Sequence, residues 1–345
     1  MNKKIIVGGT AAAALAGIGI YKVISAQQDS SKSNQDDWTT ANIPDLTGKV
    51  MIVTGANSGV GYEAAKEFAR NGAQTVLACR NMDKAQAALS EIQAEIPDAP
   101  AEIMPLNLAS LASVEQFAAE FKAKYERLDV LVNNAGIMMV PYQMTEDGFE
   151  SQFGTNHLGH FALTGLLSGL LLETPGSRVV NVSSNGHHGG SMDFDNLMYE
   201  GGSAYEAQEA YGRSKLANIL FTYELQRRYE AAGADALAVA AHPGISNTHL
   251  ADHMLDKWYF KMGRPLMGLV LQSAAMGALP TIRAAVDPAV NGGDYYGPGG
   301  FREQRGYPVL VQSSDASHYI ADAQQLWRES ELLTGVSFLD LKAAA

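Results

Sequence analysis

The stretch from Lys49 to Gly72 constrains the fold more than any other. It reads "KVMIVTG", then "ANSGV", then "GYEAAKEFARNG". Its first part is an apolar run without polar alternation, as in a strand covered on both faces. Its last part has helical spacing and closes on Gly72. A strand that ends in glycine and feeds straight into a helix opens a β–α–β crossover. The alternation continues. "QTVLACR" (74–80) reads as a second strand, 82–95 as helix, 101–106 as strand, 111–126 as helix and "LDVLVNNAG" (128–136) as a fourth strand. A long helical region follows from about 145 to 172, then the strand "SRVVNVSS" (177–184), a helix over 209–231 and the strand "ALAVAAHPG" (236–244). The pattern predicts an α/β fold, a Rossmann-type doubly wound parallel sheet, in a single domain over 45–345. Neither a repeat nor a second boundary interrupts the chain after residue 45.

With 345 residues, 46% of them hydrophobic, the chain is long enough to bury a sizeable core. Its net charge of −12 argues against nucleic acid as a partner. The single cysteine, Cys79, rules out an intrachain disulfide.

The N-terminus differs from the rest. Lys3 and Lys4 precede "IIVGGTAAAALAGIGIY" (5–21), an apolar segment without charge. Extended to Ile24 as a helix it reaches about 30 Å, enough to span the hydrocarbon core if Lys22 snorkels. Residues 1–24 therefore read as a membrane anchor or as a signal segment cleaved near Ser25-Ala26, with a buried core helix as a third option. The polar residues after it suggest a flexible linker over 25–44. Membrane attachment through 5–24, with the domain on the cytosolic side, is the expectation. An exported protein with a cleaved signal is the alternative; by the positive-inside rule Lys3 and Lys4 would keep the N-terminus in the cytoplasm and export the domain, a bias that Lys22 and Lys32 partly balance.

The glycine string Gly55, Asn57, Ser58, Gly59, Val60, Gly61 stands between a strand and a helix. There it lets backbone N–H groups and a helix N-terminus approach a pyrophosphate. The second strand ends in Arg80, with no Asp or Glu at its tip. A guanidinium suits the 2′-phosphate of NADP, whereas a carboxylate would suit the ribose hydroxyls of NAD. Further along, "EAYGRSKLAN" (209–218) places Tyr211 and Lys215 four apart, on one helical face. An ammonium about 4 Å from a phenol, at an effective dielectric near 20, is worth roughly 4 kcal/mol, or about three pKa units. Lys215 is thus expected to bring Tyr211 down into the range useful for acid–base catalysis. Tyr62 and Lys66 share the spacing, but they lie in the first helix and read as structural.

These motifs occur in order. The TGxxxGxG string, Asn133-Asn134-Ala135-Gly136, Ser183-Ser184, Tyr211xxxLys215 and Pro243-Gly244 together resemble the short-chain dehydrogenases/reductases over about residues 45–340. "TGANSGVGYEAA", "LACRN", "NHLGHFALT", "NVSSNGHH" and "YGRSKLANILFTYEL" are most similar to the retinol-dehydrogenase-like branch and its bacterial relatives. The resemblance implies that Tyr211 exchanges the proton of the substrate oxygen and that Lys215 lowers its pKa and holds the nicotinamide ribose. It implies that Ser184, or alternatively Ser183, polarises the carbonyl and that Asn156 holds a proton-relay water. Asn133 would open the turn that supports the cofactor pocket, Ala135, Gly136, Pro243 and Gly244 would bind the cofactor, and Thr248 would meet the carboxamide. Asn107 and Leu108 would face the adenine, although the family usually has Asp where this chain has Asn107.

The expected activity is hydride transfer between NADP(H) and an alcohol or carbonyl substrate. Met138, Met139, Met254, Leu255, Trp258, Tyr259 and Phe260 suggest an apolar wall, hence a retinoid-like or long-chain substrate. A non-catalytic NADP sensor on the same fold would not need Ser184, Tyr211 and Lys215 together. Epimerases of the extended type tend to carry TGxxGxxG, which this chain lacks. For a protochlorophyllide-type reductase the one cysteine lies on the second strand, away from the substrate. No metal is expected, since His249 and His253 lack cysteine or HExxH companions. His187 and His188 are candidates for the substrate entrance, and the long loop between Ser184 and Tyr211 for specificity.

Overall fold

The computed structural model describes residues 37–245 and 272–338. Eight strands form one sheet in the order β3-β2-β1-β4-β5-β6-β7-β8. They are β1 (Val50–Thr54), β2 (Gln74–Cys79), β3 (Ala101–Pro105), β4 (Val130–Asn133), β5 (Ser177–Val182), β6 (Ala236–Ala241), β7 (Tyr295–Pro298) and β8 (Pro308–Leu310). Strands β1 to β7 are parallel, and β8 returns antiparallel to β7 with Tyr296 opposite Leu310.

Helices cover both faces. Within β1, Met51 and Val53 face a core shared with α1 (Gly59–Arg70), α2 (Met82–Glu95) and α7 (Ala274–Val286). Val50 and Ile52 face the opposite core, built with α3 (Leu111–Lys124), α4 (151–166) and α6 (Ala207–Ala232). Each face of the apolar run therefore has its own partner, which is why β1 carries no polar alternation. Helix α4 runs as Ser151–Phe153, a wide π turn Gly154–Leu158, and Gly159–Leu166; the short α5 (Ser168–Glu173) follows. The last helix, α8 (Ile320–Thr334), lies across α6 and α4, where Trp327 stacks among Phe161, Phe221 and Phe338 at 4.5–5.8 Å.

Three expectations need correction. The linker does not extend to residue 44, because Trp38 and Ile43 are buried in the α1–α7 core; residues 38–44 belong to the folded body. The helix expected from about 145 begins at Ser151. Before it, Asp147-Gly148 closes a tight turn, and the buried Glu150 carboxylate accepts the N–H groups of Gln152 and Phe153 at 2.8 Å, capping the helix. The sheet also continues past the six strands read from the sequence, through β7 and β8.

Candidate active site

The crevice lies at the C-terminal ends of the strands, where strand order reverses between β1 and β4. Gly55 (φ +67°) and Gly59 (φ +61°) take left-handed backbone conformations in the first turn. A side chain at Gly61 would strike the Gly55 carbonyl at 2.8 Å and also the Asn134 amide. Asn57, Ser58 and Val60 complete the turn at the N-terminus of α1. Beneath it the buried Cys79 thiol accepts the Ala56 and Asn57 N–H groups, and burial pushes its pKa up to about 11. Asn134 locks the neighbouring turn to β1, donating from Nδ2 to the Thr54 carbonyl at 2.8 Å.

Arg80 stands exposed at the tip of β2 and has no ion pair among the described residues. Asn107 folds its side chain onto the Ala109 N–H at 3.2 Å, and Leu108 packs so closely on Gly159 that a side chain there would meet the Leu108 carbonyl. Ala135 and Gly136 are half-buried at the crevice. The Asn133 amide donates to Thr164 at 3.0 Å and to Asn181 at 2.8 Å, so it faces the core and underpins the turn that it opens.

Tyr211 is buried on α6, and the Ser184 hydroxyl hydrogen-bonds its phenol. Ser183 points elsewhere, donating to the Lys215 carbonyl at 2.8 Å. Lys215 is 3% exposed; Nζ donates to the Val182 carbonyl at 3.0 Å and lies 5.8 Å from the Tyr211 ring centre. The expected effect of the lysine on the phenol is not seen. Burial raises the Tyr211 pKa, only partly offset by the Ser184 hydrogen bond, and burial likewise lowers Lys215 to about 8. Desolvation is the larger effect at both groups. Asn156, in the π turn, clamps Ile137 through both its N–H (2.8 Å) and its carbonyl (2.9 Å), and donates to Ser214 Oγ at 2.9 Å. Ser214 in turn donates to the Tyr211 carbonyl at 2.8 Å, so α4 and α6 meet at the site.

The chain is similar to known proteins along most of its length. The family model described as short chain dehydrogenase matches residues 49–257. Retinol dehydrogenase 13 of Homo sapiens is 40% identical over 296 residues, covering 84% of this chain and 86% of that protein. Polyprenol dehydrogenase of Homo sapiens is 39% identical over 299 residues, covering 85% and 87%. The crystal structure of an uncharacterized protein from Mycobacterium paratuberculosis has a TM-score of 0.73 at 40% identity, covering 88% of this chain and 99% of that one.

The chain belongs to the short-chain dehydrogenase/reductase family.

Within that family it falls in the retinol-dehydrogenase-like branch. This short-chain dehydrogenase/reductase is a hydride-transferring oxidoreductase that uses a nicotinamide cofactor and a small-molecule substrate. The far side of its crevice is built from parts that the sequence reading did not single out. Arg213, two residues after Tyr211, is buried and donates to the carbonyls of Asn196 (2.8 Å), Leu197 (3.2 Å) and Ser191 (3.2 Å). Its guanidinium lies 4.1 Å over the Tyr199 ring. The long loop is thereby pinned to the helix that carries the tyrosine. A charge inside the YxxxK motif itself was the available signal.

His187 does not line an entrance. It is buried, with Nδ1–H donating to the Ser184 carbonyl at 2.6 Å and Nε2 accepting from the Ser314 N–H at 3.0 Å. His188 is exposed. The β7–β8 hairpin closes against Pro243-Gly244. The Ile245 N–H donates to the Gln304 carbonyl at 2.8 Å, Gln272 donates to the Pro243 carbonyl at 2.6 Å, and His242 Nε2 meets Glu303 at 3.2 Å. Thr248, His249, His253, Met254, Leu255, Trp258, Tyr259, Phe260 and the apolar stretch 5–24 lie outside the described residues. The other Tyr-Lys pair is structural: Lys66 pairs with Glu63 at 2.9 Å and with Glu95 at 3.6 Å.

Proposed function

We propose that this chain is an NADP(H)-dependent alcohol dehydrogenase or carbonyl reductase acting on a hydrophobic substrate of retinoid or long-chain type. The observation that carries the reading is the hydrogen-bonded Ser184–Tyr211 hydroxyl pair, Ser184 just past β5 and Tyr211 buried on α6, with the Lys215 side chain on the same helix. Two O–H donors side by side suit a carbonyl oxygen on which negative charge grows.

The turn fits the cofactor, since Gly55 and Gly59 take left-handed conformations and Gly61 packs too tightly for a side chain, which keeps the backbone close at the N-terminus of α1. Asn57, Ser58, Gly59, Val60 and Gly61 would hold the pyrophosphate at the N-terminus of α1. Arg80, an unpaired exposed cation among the described residues, supports NADP(H), since a 2′-phosphate supplies the anion it lacks. Asn107 and Leu108 would face the adenine, Ala135, Gly136 and Lys215 the nicotinamide ribose, and Pro243, Gly244 and Thr248 the carboxamide. A bound nicotinamide supplies the hydride in reduction and accepts it in oxidation. Ser184 holds the substrate oxygen, Tyr211 gives it a proton, and Asn156 positions the route by which Tyr211 regains one.

The relatives named for retinol and polyprenol act on long apolar alcohols by those names, which supports an apolar substrate here. Ile245 (41% exposed) and Phe301 (69% exposed) flank the Pro243-Gly244 turn as apolar surface. The apolar segment 5–24 would hold the domain at a membrane, on its cytosolic side, next to such a substrate. The test is kcat/KM with NADPH along an aldehyde series from short and polar to roughly C10 and apolar. At up to ~0.8 kcal/mol for each buried methylene, a rise of at least about tenfold is expected. A flat series removes the apolar substrate. Arg80→Asp should weaken NADPH and move preference toward NADH; a wild type that already prefers NADH removes the NADP assignment.

A further inference from the structure

Thr54, at the tip of β1, has one hydroxyl and more neighbours than a hydroxyl can serve in arbitrary ways. Its oxygen accepts the N–H groups of Asn134 at 2.9 Å and Ala135 at 3.0 Å. Both lone pairs are then occupied, and only its own proton remains to be given. Two acceptors stand near it: His160 Nε2 at 2.9 Å and, farther off, the Val132 carbonyl at 3.3 Å. His160 comes from α4, and its other nitrogen, Nδ1, lies 3.0 Å from the Asn156 carbonyl. A carbonyl can only accept, so Nδ1 carries the hydrogen and Nε2 is bare. The opposite tautomer would bring a third donor to Thr54 and set lone pair against lone pair at Asn156. Both ends of the ring therefore call for the same neutral form. Burial of His160 (2% exposed) acts in the same sense, as does the charge of Lys215 facing it from α6.

The contacts close into a circuit. Thr54 holds the amides of the Asn134-Ala135 turn; two residues on, Ile137 is clamped by the Asn156 side chain; the Asn156 carbonyl takes the His160 Nδ1–H; and His160 Nε2 takes the Thr54 hydroxyl. We infer that His160 is a positioning residue, which locks the Asn156 carbonyl and the cofactor-side turn into one rigid unit through its neutral Nδ1–H form. It touches neither substrate nor cofactor; it acts through Thr54 and Asn156. The inference rests on the reductase reading above, in which Asn156 serves the return of a proton to Tyr211.

The test has a spectroscopic arm and a kinetic arm. In the full-length wild type, 15N-detected imidazole NMR, assigned with a His160 variant, should show His160 as the Nδ1–H tautomer at neutral pH. An Nε2–H or doubly protonated ring overturns the inference. For kinetics, His160→Phe keeps the bulk and removes both hydrogen bonds. His160→Asn returns an N–H donor close to the place of Nδ1. His160→Phe should lose about tenfold or more in kcat with KM for the carbonyl within about twofold, since misplacement of a relay group affects chemistry more than binding. His160→Asn should recover most of that loss. Equal impairment of the two, or a folded His160→Phe with wild-type kcat, overturns it. Thr54→Val and His160→Phe should both weaken NADPH binding measured by fluorescence, and unchanged affinity in both counts against the circuit. Should the wild type reduce no carbonyl, the reductase reading falls, while the tautomer and the cofactor affinities still decide the role of His160.

Discussion

Burial keeps the Tyr211 phenol above its ordinary value of 10.0, so the group is a protonated acid at neutral pH. As a proton donor it is ready for reduction, whereas alcohol oxidation needs the scarce phenolate. Oxidation rates should therefore climb with pH above neutrality, and reduction should not. Tyr211→Phe should cut kcat by at least about 10² while NADPH still binds; near-normal turnover by the purified variant would remove the tyrosine from its role. Three other buried rings make a prediction about stability. Burial lowers His157 to about 3, and His160 and His187 to about 4. The unfolded chain takes up these protons near 6.5, the folded chain only near 3 to 4. Their contribution is complete above about pH 6.5 and is lost as pH falls toward 4. Each steepens the decline by up to ~1.4 kcal/mol per pH unit. Urea midpoints measured at pH 7, 6 and 5 should fall progressively, and a flat series would show that the rings are accessible to protons. The pairing of Tyr211 with Lys215 was legible because both stand on one face of one helix, and Ser184 because it follows directly on an apolar strand. His160 was not, because its meaning depends on Thr54, 106 positions earlier in the chain.

The helices and strands divide in the same way. Strands β1 to β6 announce themselves as apolar runs between glycines and polar ends. Strand β8 has three residues, two of them exposed, and carries no periodic signal. In β7, "YYGP" reads as a turn, and it is a strand because Tyr295 and Tyr296 are buried against elements far away in sequence. The start of α4 was misplaced because its cap is a buried carboxylate, Glu150, whose partners cannot be seen from local composition. Helix α8 owes its position to one side chain above all. Trp327 meets Phe161, Phe221 and Phe338, and Arg228 covers its ring at 4.0 Å. Trp327→Ala should destabilise the protein by about 3–5 kcal/mol, read as a lower urea midpoint. A loss under ~1 kcal/mol would mean that α8 is not coupled to the body.

Across the whole molecule, most of what binds and reacts hangs from the ends of parallel strands, while the helices behind them are packed on two cores. Stability and chemistry therefore meet at a few hinge points, and one of them carries a natural label. The chain has a single thiol, and it is sealed at the tip of β2 beneath the glycine turn. A thiol reagent can reach Cys79 only when that turn lifts off the sheet. The rate at which intact protein gains the mass of one maleimide is thus a clock for local opening, free of background from other cysteines. Labelling should be slow without denaturant. Nicotinamide cofactor, proposed above to bind at the same turn, should slow it further by the factor 1 + [L]/Kd if only the closed form binds. Rapid labelling that ignores the cofactor would show that the turn opens independently of the ligand it cradles. With a matching rate law, the same experiment weighs NADPH against NADH without any substrate, because each molecule holds its own turn shut for as long as it stays bound.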